Sequence, residues 1–269
     1  MIAAIPFPAI DPVIIDFAPL VGLPLALRWY SVLWLGGCVL AWLYVRKLIE
    51  KEPKALTREQ ASDFLFWGIL ATVVGGRLGY VFFYMPSLLT DNPLRVFAMW
   101  EGGMSFHGGL IGVIVALILF VRRRGLSLLA VSDTLACAAP LGLFAVRIAN
   151  FINGELYGRV SDVPWGMVFP GGGPLPRHPS QLYEAALEGV VLFIVLFVLS
   201  RFDGVRLRPG MLTGFFLIGY AAARGLVELA RQPDAHIGFL IGGTTMGQLL
   251  SLPVLLFGLY LVFRARKTT

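Results

Sequence analysis

Apolar runs long enough to cross a membrane recur from one end of this sequence to the other, and Pro, Gly and clusters of charge break them into segments. The breaks give spans near 25–48, 62–84, 104–122, 126–149, 180–200, 210–230 and 244–264. Each holds about 20 residues, which at about 1.5 Å per residue crosses roughly 30 Å of hydrocarbon. The pattern predicts an all-α, polytopic integral membrane protein with one transmembrane domain over 1–269 and seven transmembrane helices. The interval 151–179 is different. It carries Pro164, Pro170, Pro174, Pro176 and Pro179 with Gly171–Gly173, which predicts a small irregular cap rather than long helices or regular strands.

Basic residues set the direction of the spans. Alternate loops hold Arg46, Lys47, Lys51, Lys54 and Arg58, then Arg122–Arg124, then Arg201, Arg206 and Arg208, and finally Arg264, Arg266 and Lys267. These are fourteen of the 22 Lys and Arg residues, whereas the opposite loops hold five: Arg28, Arg95, Arg159, Arg177 and Arg231. Because Lys and Arg concentrate on the cytoplasmic side, the N-terminus and the 151–179 cap are expected outside and the C-terminus inside. An odd number of spans is required by this arrangement.

Composition agrees: 57% of residues are hydrophobic and 14% charged, with a mean hydropathy of +0.78. An ordinary soluble domain has roughly 45–50% and about 25%. The net charge of +6 does not indicate nucleic acid, because the chain lacks the soluble basic face such binding needs. Met1–Leu20 has Asp11 and Asp16 but no basic residue, so it lacks the n-region of a signal peptide and reads as mature sequence outside the cytoplasm. Cys38 and Cys137 lie far apart in apolar segments and read as buried small hydrophobes.

Against this background the polar residues inside spans stand out. Arg77, Arg147 and Arg224 lie in spans two, four and six, each in the last third of a span directed outward, so similar depths are expected. A charge in the bilayer costs about 2.5 kcal/mol or more, and three at one level imply a partner. An internal ion-pair network is one reading: Glu228 follows Arg224 by four residues on the same helical face. Yet Tyr220, Arg224, Glu228 and Arg231 form a continuous polar stripe, and Arg147 shares a face with Asn150, with Asn153 and Glu155 in the next turn. Guanidiniums with spare donors suit a phosphate, which they bind through paired hydrogen bonds.

His107 opens span three within Gly102-Gly103-Met104-Ser105-Phe106-His107-Gly108-Gly109-Leu110. The positive end of that helix faces outward and favours a neutral, proton-accepting imidazole. No G-x-S-x-G, H-E-x-x-H or G-x-x-x-x-G-K-[ST] pattern occurs, and His107, His178 and His236 are too scattered for a metal site. No metal or cofactor is expected.

The chain resembles the bacterial prolipoprotein diacylglyceryl transferases. The resemblance rests on Arg28-Trp29-Tyr30, Gly75-Gly76-Arg77-Leu78-Gly79-Tyr80, His107–Gly112, the Arg147–Gly158 block R-x-x-N-F-x-N-x-E-x-x-G, His178-Pro179-Ser180-Gln181-Leu182-Tyr183-Glu184, Arg231-Gln232-Pro233-Asp234 and Met246-Gly247-Gln248. It implies seven spans in the bacterial inner membrane and transfer of the diacylglyceryl group of phosphatidylglycerol to the lipobox cysteine of a preprolipoprotein, with release of glycerol phosphate. It also implies that the site faces the periplasm, with phosphatidylglycerol, the signal peptide and membrane lipids as partners. For such chemistry His107 is the expected general base, and Arg147 and Arg224 the phosphate clamp, assisted by Arg77. Tyr30, Asn150, Asn153 and Tyr220 would meet substrate, and Gly158 would permit a tight turn beside it or meet it; Glu155 would fix Arg147 or the cap, and Glu228 would hold Arg224. An anion or lipid transporter is the alternative, disfavoured because the inner halves of the spans carry little charge beyond Glu188 and Asp133.

Overall fold

The computed structural model describes residues 5–22, 25–98, 102–233 and 238–267. Seven long helices account for most of it: α1 Trp29–Leu48, α2 Arg58–Tyr84, α3 Phe106–Arg124, α4 Leu128–Ile152, α5 Ser180–Leu199, α6 Met211–Val227 and α7 Met246–Lys267. Six are long and apolar enough to cross a membrane, and α6 is a shorter apolar helix of 17 residues. Asp234 and His236, named above, lie outside the described residues.

Local chemistry sets the ends. Thr57 and Gln60 form a capping box, with Gln60 N–H donating to Thr57 Oγ1 (3.1 Å) and Thr57 N–H to Gln60 Oε1 (2.9 Å). It starts α2 four residues before the apolar run, over the polar turn Arg58-Glu59-Gln60. Thr245 and Gln248 do the same for α7. The start of α6 is capped from a distance: Asp133, buried in α4, accepts from Gly210 N–H and Thr213 N–H, both at 2.7 Å, and from the Thr213 hydroxyl at 2.6 Å. At its other end α6 stops at Val227, three residues short of the expected 230. There the chain tightens, with Leu229 and Ala230 donating to carbonyls three residues back.

Contacts divide the chain into two compact units. One comprises Phe17–Leu25 and Arg46–Val131. Within it α2 and α3 meet through Gly75-x-x-x-Gly79 and Gly108-x-x-x-Gly112. A Cβ on Gly108 would stand 2.3 Å from the Gly75 carbonyl oxygen, and one on Gly75 2.5 Å from that of Gly108, so only glycine permits this approach. Small residues at such a crossing are how helices associate where lipid removes the hydrophobic drive.

The other unit comprises Met1–Asp16, Ala26–Val45 and Ser132–Thr269. Its apolar packing includes Met211, Val262 and Ala265, where α6 meets α7. The proline-rich segment after α4 is held by one two-residue strand pair and isolated bridges. Its strand β4, Met167–Val168, pairs in parallel with β1, Ile5–Pro6, and Gly158 pairs with Arg231 and Val160 with Arg177. A short antiparallel ribbon joins β2, Val13–Asp16, to β3, Ala26–Arg28, just before α1. These strands are the departure from an all-α chain. None exceeds four residues, as expected where Pro and Gly interrupt every run.

Candidate functional site

Six charged side chains from three places in the chain meet in the second unit. Arg147 comes from α4, Glu184 and Glu188 from α5, Arg224 from α6, and Glu228 and Arg231 from the turn that follows α6. Arg224 is the hub: its Nη1 donates to Glu184 Oε1, and its Nη2 lies 2.6 Å from Glu228 Oε1. Arg147 reaches Glu184 Oε2 with Nε at 3.2 Å and Glu188 Oε2 with Nη2 at 3.3 Å. The first of these contacts is close but misaligned for a hydrogen bond, so Arg147 Nε and Glu184 Oε2 stay unpaired in that sense. Arg231 Nη1 lies 3.3 Å from Glu228 Oε1. The carboxylates are sealed in, with Glu184 and Glu188 at 0% exposure, while the three arginines keep 13–14% of their side chains accessible.

The i, i+4 pairing of Arg224 with Glu228 is thus realised, and the stripe extends to Arg231. What sequence reasoning missed is the pair of carboxylates on α5. Glu188 belongs to the half of α5 adjoining the proline-rich segment, not to the far half as taken above, because α5 begins at Ser180. Two intramembrane carboxylates four residues apart, opposite two intramembrane arginines, were the available signal. A π-helical stretch, Ala185–Val191, carries Glu188 and follows Glu184 directly.

The residues around this cluster explain several motifs. Tyr30, second in α1, lies within electrostatic reach of Glu155 and Arg147, and Tyr220 within that of Glu188, Arg224, Arg147 and Glu184. Glu155 does not fix Arg147. Its Oε1 instead accepts from Asn150 Nδ2 (2.8 Å) and Asn153 Nδ2 (3.1 Å), because the turn closing α4 brings the three together. The start of α5 grips the same turn: Gln181 Nε2 donates to the Glu155 carbonyl (2.5 Å) and Ser180 Oγ to that of Leu156 (2.9 Å). Gly158 donates to the His178 carbonyl at 2.8 Å, and a Cβ there would stand 2.5 Å from the Ala230 carbonyl oxygen. That crowding is enough to account for a glycine, as the tight-turn reading requires.

Arg159 and Arg177 tie the proline-rich segment down. Arg159 donates to the carbonyls of Arg231 (2.8 Å) and Glu228 (2.9 Å), and Arg177 to those of Gly172 (2.8 Å) and Gly158 (3.2 Å). Beside them the Tyr183 hydroxyl accepts from Trp165 Nε1 (2.6 Å) and meets His178 Nδ1 (3.1 Å). Partial burial, then the Arg159 charge, lowers the proton affinity of His178 below that of an ordinary histidine.

In the first unit, Arg77 and His107 share one neighbourhood. Arg77, 3% exposed, donates to four backbone carbonyls: Val96 (2.9 Å), Arg95 (2.6 Å), Gly102 (2.5 Å) and Gly103 (3.3 Å). These bonds occupy its Nε and both Nη atoms, which corrects the expectation of a guanidinium turned to a headgroup. Carbonyl partners leave no mark in sequence. The segment it organises leads to Ser105, whose N–H donates to the Gly76 carbonyl (2.9 Å) and whose Oγ accepts from Gly108 N–H (3.2 Å), capping α3. His107 is the second residue of that helix, exposed, with its ring edge-on to Phe106. No group of three or more potential metal ligands occurs among the described residues.

Comparison with known proteins adds the last observation. The sequence profile of the prolipoprotein diacylglyceryl transferase family matches residues 18–264. The phosphatidylglycerol–prolipoprotein diacylglyceryl transferase of Paramagnetospirillum magneticum is 56% identical over 263 residues, covering 97% of this chain and 96% of that protein. Those of Rhodospirillum rubrum and Azospirillum brasilense are 52% and 53% identical, covering 99% and 98% of this chain and 96% and 97% of their own.

Proposed function

Because the chain belongs to the prolipoprotein diacylglyceryl transferase family, we propose that it transfers the diacylglyceryl group of phosphatidylglycerol to the lipobox cysteine of preprolipoproteins, with the Arg147–Arg224 cluster as headgroup site. The observation that carries the site assignment is the meeting of Arg147 and Arg224 from separate helices on buried carboxylates, with part of each arginine side chain still accessible.

The reaction forms a C–S bond at a glycerol carbon and breaks that carbon's bond to the phosphate oxygen. The electron pair leaves with glycerol phosphate, and the thiol proton must go to a base. Guanidiniums stabilise the departing phosphate by paired, charge-assisted hydrogen bonds. Glu184 and Glu228 hold Arg224 in orientation, and Glu184 with Glu188 holds Arg147. Since a free thiol has a pKa of about 8.5, a neutral imidazole is a suitable acceptor, and His107 takes that role. Arg77 serves it indirectly by fixing the segment that leads into α3. Tyr30, Tyr220, Asn150 and Asn153 orient the headgroup or the peptide, with Glu155 setting the two asparagine amides.

Backbone pairings support the topology. Ile5–Pro6 pairs with Met167–Val168 and Gly158 with Arg231, which is consistent with an even number of crossings between each pair, four and two. The reading is seven spans, with an outside N-terminus, a cytoplasmic C-terminus and a periplasmic cap in the bacterial inner membrane, and the bias of basic residues supports it.

The test uses purified protein, phosphatidylglycerol and a lipobox peptide. Mass spectrometry should find one diacylglyceryl group on the peptide cysteine and stoichiometric glycerol phosphate in solution; an unmodified peptide alongside moved but intact lipid would reject transfer.

A further inference from the structure

Among the described residues, three carboxylates, Glu184, Glu188 and Glu228, face three guanidiniums, Arg147, Arg224 and Arg231, so the formal charge of these six side chains is zero. A neutral cluster is a poor receptor for a phosphodiester. The headgroup would bring one uncompensated negative charge into a site whose carboxylates are already out of water. One proton entering with it restores the balance.

Geometry distinguishes the three carboxylates as carriers of that proton. Glu184 has a guanidinium at each oxygen, Arg224 at Oε1 and Arg147 at Oε2. Glu228 takes Arg224 at 2.6 Å and Arg231 at 3.3 Å on one oxygen. Glu188 is held less closely, by Arg147 Nη2 at 3.3 Å and by Arg224 Nη1 at 4.0 Å. All three carboxylates are buried and each has one oxygen with no hydrogen-bond partner among the described residues, so what sets Glu188 apart is the length of its ion pairs. The groups facing it are Arg147 from α4, Arg224 and Tyr220 from α6, and Glu184 one turn back on its own helix. Of the three, Glu188 therefore gives up the least ion pairing if its charge is removed.

We propose that Glu188 is a positioning residue that takes up one proton from solvent when the phosphodiester headgroup enters, leaving Arg147 and Arg224 facing the phosphate rather than a second full carboxylate charge. No covalent bond changes in this step. The proposal rests on the headgroup-site reading above and adds a pH dependence to it. Where the free cluster is fully charged, each headgroup bound must draw one proton from a supply that grows more dilute as pH rises. The KM for phosphatidylglycerol then rises about tenfold per pH unit, while the peptide KM does not follow.

The experiment measures both KM values against pH for wild type, Glu188→Gln and Arg147→Lys. Glu188→Gln, permanently neutral and nearly isosteric, should show a flat phosphatidylglycerol KM across the range in which the wild-type value climbs. A Gln variant that keeps the wild-type slope overturns the proposal. If Arg147→Lys raises the lipid KM while that slope persists, only the proton uptake is wrong; if Arg147→Lys leaves the lipid KM untouched, the headgroup site fails with it. Should Glu188→Gln not fold, calorimetry on wild type with short-chain phosphatidylglycerol in buffers of different ionisation enthalpy decides the matter. About one proton taken up per lipid bound supports the proposal, and none overturns it.

Discussion

Replacing Arg147 or Arg224 with Lys is expected to lower turnover by on the order of 10²–10³, the usual cost of removing a preorganised donor from a developing oxyanion. Lysine keeps the charge. It loses the planar fork, and as a compact, strongly hydrated ammonium it cannot bridge the partners a guanidinium bridges. Arg224 makes this clear, since it reaches Glu184 with one Nη and Glu228 with the other. An ammonium there can satisfy one carboxylate well and leaves the other underpaired in a site away from water. Initial rates with phosphatidylglycerol and a lipobox peptide check the prediction, and near-wild-type turnover in both variants would contradict phosphate clamping.

The second large effect concerns His107. His107→Gln should slow thioether formation by about 10²–10⁴, the range expected for a lost general base, while phosphatidylglycerol still binds. Glutamine preserves size and hydrogen bonding but cannot take the thiol proton. The residue is at the surface and its helix is capped independently by Ser105, so the fold should be little disturbed. A further signature separates a base from a structural role: raising the pH past about 8.5, where a free thiol ionises unaided, should recover part of the lost rate. Unchanged activity in the variant, or a loss that ignores pH, removes His107 as the base.

The helices were largely legible because lipid demands long apolar runs, and those runs were visible as such. Their ends were less so. The α2 start lies in a polar turn recognisable by its Thr57-x-x-Gln60 box, whereas the early stop of α6 depends on backbone bonds at Leu229 and Ala230. In the site, the Arg224–Glu228 pair was readable because i, i+4 residues share a helical face. Arg147 and Glu184 are far apart in sequence and meet only through helix packing. Arg77 shows another limit. An intramembrane arginine suggests an anion, but this one is spent on carbonyls of a loop about 20 residues away, and backbone acceptors are the same for every residue type. For Glu155 the sequence leaves two partners open, Arg147 or the cap, and its carboxylate takes two amides of the turn after α4.

The central claim, that Arg147 and Arg224 grip the lipid phosphate, is tested most directly by solid-state NMR recoupling of phosphatidylglycerol ³¹P to ¹⁵N-labelled arginine side chains. Wild type in phosphatidylglycerol bilayers should show guanidinium nitrogens at hydrogen-bond range of phosphorus, and that signal should vanish when both residues are changed to Lys. A signal of equal strength in the double variant would contradict the account.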